Sequence, residues 1–162
     1  MPQDLQDTRY LDPSWFTRHV FNRLTRRLAR IGLSVWGSRE LRVRGRSSGE
    51  LRTTVVNLLE VDGRRYLVAP RGTTQWVRNL RAAGGGELRL GRQLDAFRAT
   101  EVADADKVEL LRVYLRKWAF EVGQFFDGVG ASAPDAELAR IAPGHPVFLV
   151  EPVAAAATAP RP

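Results

Sequence analysis

Arg52-Thr53-Thr54-Val55-Val56-Asn57-Leu58-Leu59-Glu60-Val61-Asp62-Gly63-Arg64-Arg65-Tyr66-Leu67-Val68-Ala69 is the stretch that decides the fold class. Residues 52 to 60 are rich in β-branched and aliphatic side chains and read as one strand; Arg65 to Ala69 read as the next. Asp62-Gly63 between them is a hairpin turn signal, because both central residues of that turn need positive φ. A connection this short joins antiparallel strands only, since a parallel pair needs a crossover of a dozen residues or more.

Working upstream, Arg46-Ser47-Ser48-Gly49 reads as a turn. Before it, Leu41 and Val43 alternate with Arg42 and Arg44 at the period of a half-buried strand. Further back, Phe16, Val20, Leu24, Leu28 and Ile31 recur at helical spacing and predict an amphipathic helix over 13–31 whose other face is arginine-rich. Downstream, Thr74 to Ala83 hold one short helix and Gly84-Gly85-Gly86 break the chain. Residues 87–91 and 94–102 form a second hairpin around Gly91. A long helix follows over 104–126, with Asp104 as its N-cap and Val108, Leu111, Leu115, Trp118, Val122 and Phe125 on one stripe. Residues 128–143 read as loop with a short helical turn, and Val147 to Val150 as a last strand between Pro146 and Pro152. No repeat of fixed period is present.

This order predicts a mainly β (α+β) domain, a small antiparallel barrel flanked by helices, because closure removes exposed strand edges. Residues 1–12 are expected as an N-terminal tail, 13–152 as a single domain, and 153–162 as an Ala- and Pro-rich flexible tail.

The chain has 162 residues, enough for one cored domain, and 44% are hydrophobic. There is no cysteine, which excludes disulfides, thiolate nucleophiles and cysteine-ligated metals. His19 and His145 have no ligand partner at useful spacing, so no metal site is expected. No Ser-His-acid arrangement is visible, and no catalytic residue is assigned. No apolar stretch is long enough to span a bilayer, and the polar, acidic start does not resemble a secretory signal. A cytoplasmic location is therefore expected. The formal net charge is +7, which favours anionic partners.

Arg44, Arg46, Ser47, Ser48, Gly49 and Arg52 fall within nine residues. Arginine forks, hydroxyls and close backbone approach at glycine together suit an anion. The same residues equally suit a solvated turn. Trp76 and Asn79 share a helical face; Trp76 reads as a core anchor, and Asn79 suits satisfying buried backbone groups. Tyr114 and Phe120 are placed off the main stripe of the long helix, which makes them candidates for a substrate pocket.

The run Val43 to Thr54, then Tyr66-Leu67-Val68-Ala69-Pro70-Arg71-Gly72, then Trp76-Val77-Arg78-Asn79-Leu80-Arg81-Ala82, then Phe148-Leu149-Val150-Glu151-Pro152, resembles in order the motifs of the deazaflavin (F420)-dependent nitroreductase family. The resemblance implies a split β-barrel that binds coenzyme F420. It also implies hydride transfer from the reduced deazaflavin to a small electron-poor acceptor of quinone, nitro or enone type. Carried over, the phosphate and acidic tail fall to Arg46, Ser48, Gly49 and Arg52, with Ser47 where many members have a second basic residue. The ring falls to Thr53, Thr54 and Val55 and to Ala69, Pro70 and Arg71, and Asn79 joins the cofactor-binding set. Pro70-Arg71 stands where several members have Ser before Lys, Asn57 replaces a family tyrosine, and the Gly72–Trp76 loop is shorter; these departures bear on the acceptor. The resemblance leaves monomer and homodimer open. Two alternatives stand beside it: a related split barrel binding FMN, and a basic module for membrane or nucleic acid. No nucleic-acid motif is present, and none is expected to bind. Helix 13–31 is expected to cap the barrel with its arginines in solvent; peripheral membrane contact through the same helix is the competing expectation.

Overall fold

The computed structural model describes residues 37–154. The expected tail 1–12, the helix 13–31 with its membrane reading, and most of the tail 153–162 lie outside the described residues.

Six strands close an antiparallel barrel in the spatial order β1-β2-β3-β6-β5-β4. They are β1 (Ser38–Arg44), β2 (Leu51–Val61), β3 (Arg64–Val68), β4 (Gly85–Leu90), β5 (Gln93–Glu101) and β6 (Val147–Pro152). The mainly β fold with flanking helices is as the sequence predicts, including the Asp62-Gly63 hairpin, where both residues take positive φ. β6 returns late in the chain to lie between β3 and β5, pairing Tyr66 with Leu149 and Ala99 with Val150. β1 and β4 close the seam, with Leu41 opposite Leu88.

The glycine triplet does more than break the chain. Gly84, at φ 70°, ends α1 (Gln75–Ala83), and β4 begins at once with Gly85. A Cβ on Gly85 would stand 2.3 Å from the Phe97 carbonyl oxygen, and one on Gly86 would stand 2.6 Å from that of Arg42. The strands approach too closely there for any side chain.

The predicted helix over 104–126 is three pieces: a 3-10 turn over Asp104–Asp106, α2 (Val108–Val122), and a 3-10 turn over Gly123–Phe125. Asp104 is therefore not the N-cap of α2. Its carboxylate accepts instead from the buried Lys107 ammonium at 2.6 Å, and Lys107 also donates to the Ala142 carbonyl at 3.1 Å. Burying that ammonium requires partners on both sides, and the chain bends to supply them. The segment expected as loop contains α3 (Asp135–Ile141), which buries Leu138 and Ile141. Arg112 of α2 holds its start through the Ala131 and Ala133 carbonyls and the Asp135 carboxylate.

Strand alternation sends side chains into two cores. Leu41, Val43, Val56, Leu67, Phe97, Phe148 and Val150 fill the barrel, closed by Val77 and Leu80 of α1. Leu59, Val68 and Val147 form a second core under α2 and α3. Arg81 ties α1 to β5 by two bonds to Glu101, at 2.8 and 2.6 Å.

Candidate functional site

The site forms where the barrel parts. β2 is eleven residues long, but its ladder to β3 spans only Leu58 to Val61. Its first half, from Leu51 to Asn57, pairs with β1. Among the described residues, no strand lies on its other edge. After β3 the chain turns away through Ala69, whose N–H donates to the Pro146 carbonyl at 2.8 Å. The gap is a cavity of about 760 Å³ bounded by β2, by residues 68–71, by α1 and by the end of α2. That volume suits a drug-sized or cofactor-sized ligand.

One end is cationic. The turn after β1 closes through Gly45 N–H to the Glu50 carbonyl at 2.8 Å and Gly49 N–H to the Gly45 carbonyl at 2.9 Å. Asn79, 5% exposed, reaches from α1 and accepts from the Arg46 backbone N–H at 3.2 Å and from Arg46 Nη1 at 2.9 Å. Nη1 also donates to Gln75 Oε1 at 2.9 Å. A guanidinium carries five donors, so these bonds fix its plane and still leave donors for an anion. Arg52 pairs with Glu50 at 3.1 Å, both exposed.

The far end is polar and mixed. Asn57 of β2 accepts from Ser38 Oγ at 3.3 Å and donates from Nδ2 to Glu121 Oε2 of α2 at 3.2 Å. Tyr114 is fully buried beside them, its ring 5.0 Å from that of Trp118. Burial pushes its phenol well above the ordinary 10.0; the Glu121 charge adds to this, and a hydrogen bond from Asn57 opposes it. Arg71 lies 5.9 Å over the Phe125 ring.

Of the residues singled out from sequence, Arg46, Ser47, Ser48, Arg52, Thr53, Thr54, Val55, Ala69, Pro70, Arg71, Asn79 and Tyr114 line this one cavity. Gly49 does not; it borders a neighbouring hollow with Arg42, Arg44 and Arg46. Phe120 does not either, being 68% exposed on the outer face of α2. Tyr114 lines the cavity for a reason other than the expected one: it lies on the buried stripe, three residues after Leu111 and four before Trp118. Asn79 does bond a backbone group, as its ordinary reading expects, and holds a candidate ligand residue as well. Trp76 is half-buried, packs on Phe148 at 6.1 Å, and also lines the cavity. The sequence reading missed Ser38, Gln75, Glu121 and Phe125. Only Phe125 carried a signal, as an aromatic near the end of a predicted helix.

The class that the fold and site define is a parted antiparallel barrel with a cavity that has arginines and hydroxyls gathered at one turn. The model of the F420H(2)-dependent quinone reductase family matches residues 15–125, and the chain belongs to that family. It is thus an F420-dependent oxidoreductase. No curated protein matches the chain. Among solved structures, an F420-H2 dependent reductase (FDR-A) superposes with TM-score 0.52 at 16% identity, covering 71% of this chain and 94% of its own. A domain-swapped dimer superposes with TM-score 0.53 at 16% identity, covering 86% and 100%. A protein of unknown function from Agrobacterium tumefaciens str. C58 gives 0.52 at 17%, covering 89% and 58%. At these identities the likeness concerns the fold.

The residues present fit F420. Arg46, Arg52, Ser47 and Ser48 have the chemistry to hold a phosphate, and Thr53 to Val55 line the same cavity as Ala69 and Pro70, where a ring would be held.

Proposed function

We propose that F420 binds with its anionic part at the turn 45–52 and its ring along the β2 edge at Thr53 to Val55, and that a quinone-type acceptor is reduced between that ring and α2. The observation that carries this reading is the cavity itself: it opens along the half of β2 that β3 leaves unpaired, and Arg46 and Arg52 stand together with Ser47 and Ser48 at its turn end. The bound deazaflavin supplies a hydride, and the protein supplies binding, orientation and electrostatics.

Arg46 is held by Asn79 and Gln75 before any ligand arrives, so little rotamer freedom is lost on binding. Arg52 exchanges Glu50 for the phosphate at small cost, since an exposed ion pair contributes only about 0–1 kcal/mol. Ala69 and Pro70 face the β2 edge across the slot and limit the ring to one plane. Trp76 and Phe125 supply apolar walls that keep water from the reacting centre. The family's quinone chemistry supports a quinone acceptor over the nitro and enone types.

The test is a fluorescence titration with oxidised F420, with FMN in parallel. Saturable binding of F420 and none of FMN is expected. Arg52→Ala should weaken F420 by about tenfold, the scale of one charge-assisted contact. Unchanged affinity in that variant would overturn the placement of the anionic end. Reduced F420 should then be oxidised faster by a quinone than by a nitroaromatic or an enone.

A further inference from the structure

We propose that Glu121, acting with Asn57 and Tyr114, restricts the acceptor end of the cavity to neutral carbonyl compounds; this rests on the reading of the cavity as the deazaflavin and acceptor site. Ser38, Asn57, Tyr114 and Glu121 come from β1, β2 and α2 and meet on one wall. A carboxylate only accepts, so the Asn57 amide must turn its NH2 toward Glu121 and its carbonyl toward Ser38. The chemistry of the neighbours settles the orientation of that amide. Tyr114 lines the same wall, and its O–H is the donor that this wall can offer to a ligand oxygen. Burial and the Glu121 charge keep that proton on the phenol.

Among the described residues, the cavity's one lining carboxylate is therefore placed away from the turn. Arg46 and Arg52 stand at the turn end, whereas half-buried Glu121 stands at the α2 end, where Arg71 lies over the Phe125 ring. An anionic cofactor tail finds cations. An acceptor bearing its own carboxylate or sulfonate finds Glu121, in surroundings where repulsion is poorly screened. A neutral quinone offers a carbonyl oxygen to Tyr114 and meets no opposing charge.

The full chain is titrated by calorimetry with 1,4-naphthoquinone and with 1,4-naphthoquinone-2-sulfonate, with and without F420. The wild type should bind the neutral quinone about tenfold more tightly, the scale of one like-charge contact at partial burial. Glu121→Gln keeps an acceptor for Asn57 and removes the charge; it should tighten the sulfonate at least about fivefold and narrow the gap. Tyr114→Phe should weaken the neutral quinone by about fivefold without helping the sulfonate, as expected for one lost hydrogen bond. The KM ratio for the two acceptors with reduced F420 should move in the same direction as the binding ratio. An unchanged ratio in Glu121→Gln overturns the proposal, because a purely structural role would shift both quinones together. If F420 binds but neither quinone does, the acceptor end has been misplaced and the proposal falls alone. If F420 also fails to bind, the cofactor reading falls with it.

Discussion

At Tyr114 burial and a charged neighbour act on one phenol. Burial raises the phenol above its ordinary 10.0, Glu121 adds to the shift and Asn57 opposes it. In the unfolded chain this group loses its proton above about pH 10, whereas the folded chain holds it. The unfolded state then binds fewer protons, so stability is intact below that pH and falls as pH rises through it. The urea midpoint should therefore drop more steeply with pH above about 10 in the wild type than in Tyr114→Phe. Equal slopes would remove Tyr114 as the cause. The position also shows what sequence can deliver for a site. Helical spacing from Leu111 places Tyr114 on the buried face and Phe120 on the outer one, so Phe120 was separable by period alone. Glu121 was not: nothing local marks a glutamate whose partner lies sixty-four residues away on a strand.

Elements explain why the barrel closes beside the Gly45–Glu50 turn. β4 can run against β1 and β5 only because Gly85 and Gly86 present bare backbone to Phe97 and Arg42. Gly84 has no such neighbour and is glycine for its left-handed φ. The two causes predict different costs. Gly84→Ala should lose about 1 kcal/mol, the strain of a left-handed residue. Gly86→Ala should lose about 2–3 kcal/mol, because two strands must separate. Urea unfolding checks the order, and the reverse order would mean that the seam is slack. Strand period and the Asp-Gly turn made each strand legible, since both are local signals. The glycine triplet read as a break because its packing partners are remote. The kink at Lys107 was equally hidden, as the carbonyl that draws that ammonium inward belongs to Ala142.

On the scale of the whole molecule, the hairpins predict antiparallel neighbours but not where β6 inserts; that follows from Leu67 and Phe148 sharing the barrel interior. Its consequence is the parting of β2 from β3, and hence the cavity between them. The chain carries a formal +7, and the cations at the turn are exposed arginines rather than a sealed pocket. Attraction of an anionic cofactor to them is therefore open to screening, with a Debye length that shrinks from about 10 Å at 0.1 M salt to about 3 Å at 1 M. F420 affinity should fall by about tenfold between these salt concentrations. A neutral deazaflavin lacking the phosphate and acidic tail should change by less than about twofold, because a ligand without charge has no ion attraction to the arginines for salt to screen. Equal salt dependence for the two ligands would show that the arginines act on the ring and not on the anionic end. No dependence for either would mean that the phosphate is held by the Gly45–Glu50 backbone and the Ser47 and Ser48 hydroxyls, with Arg46 and Arg52 serving the turn alone.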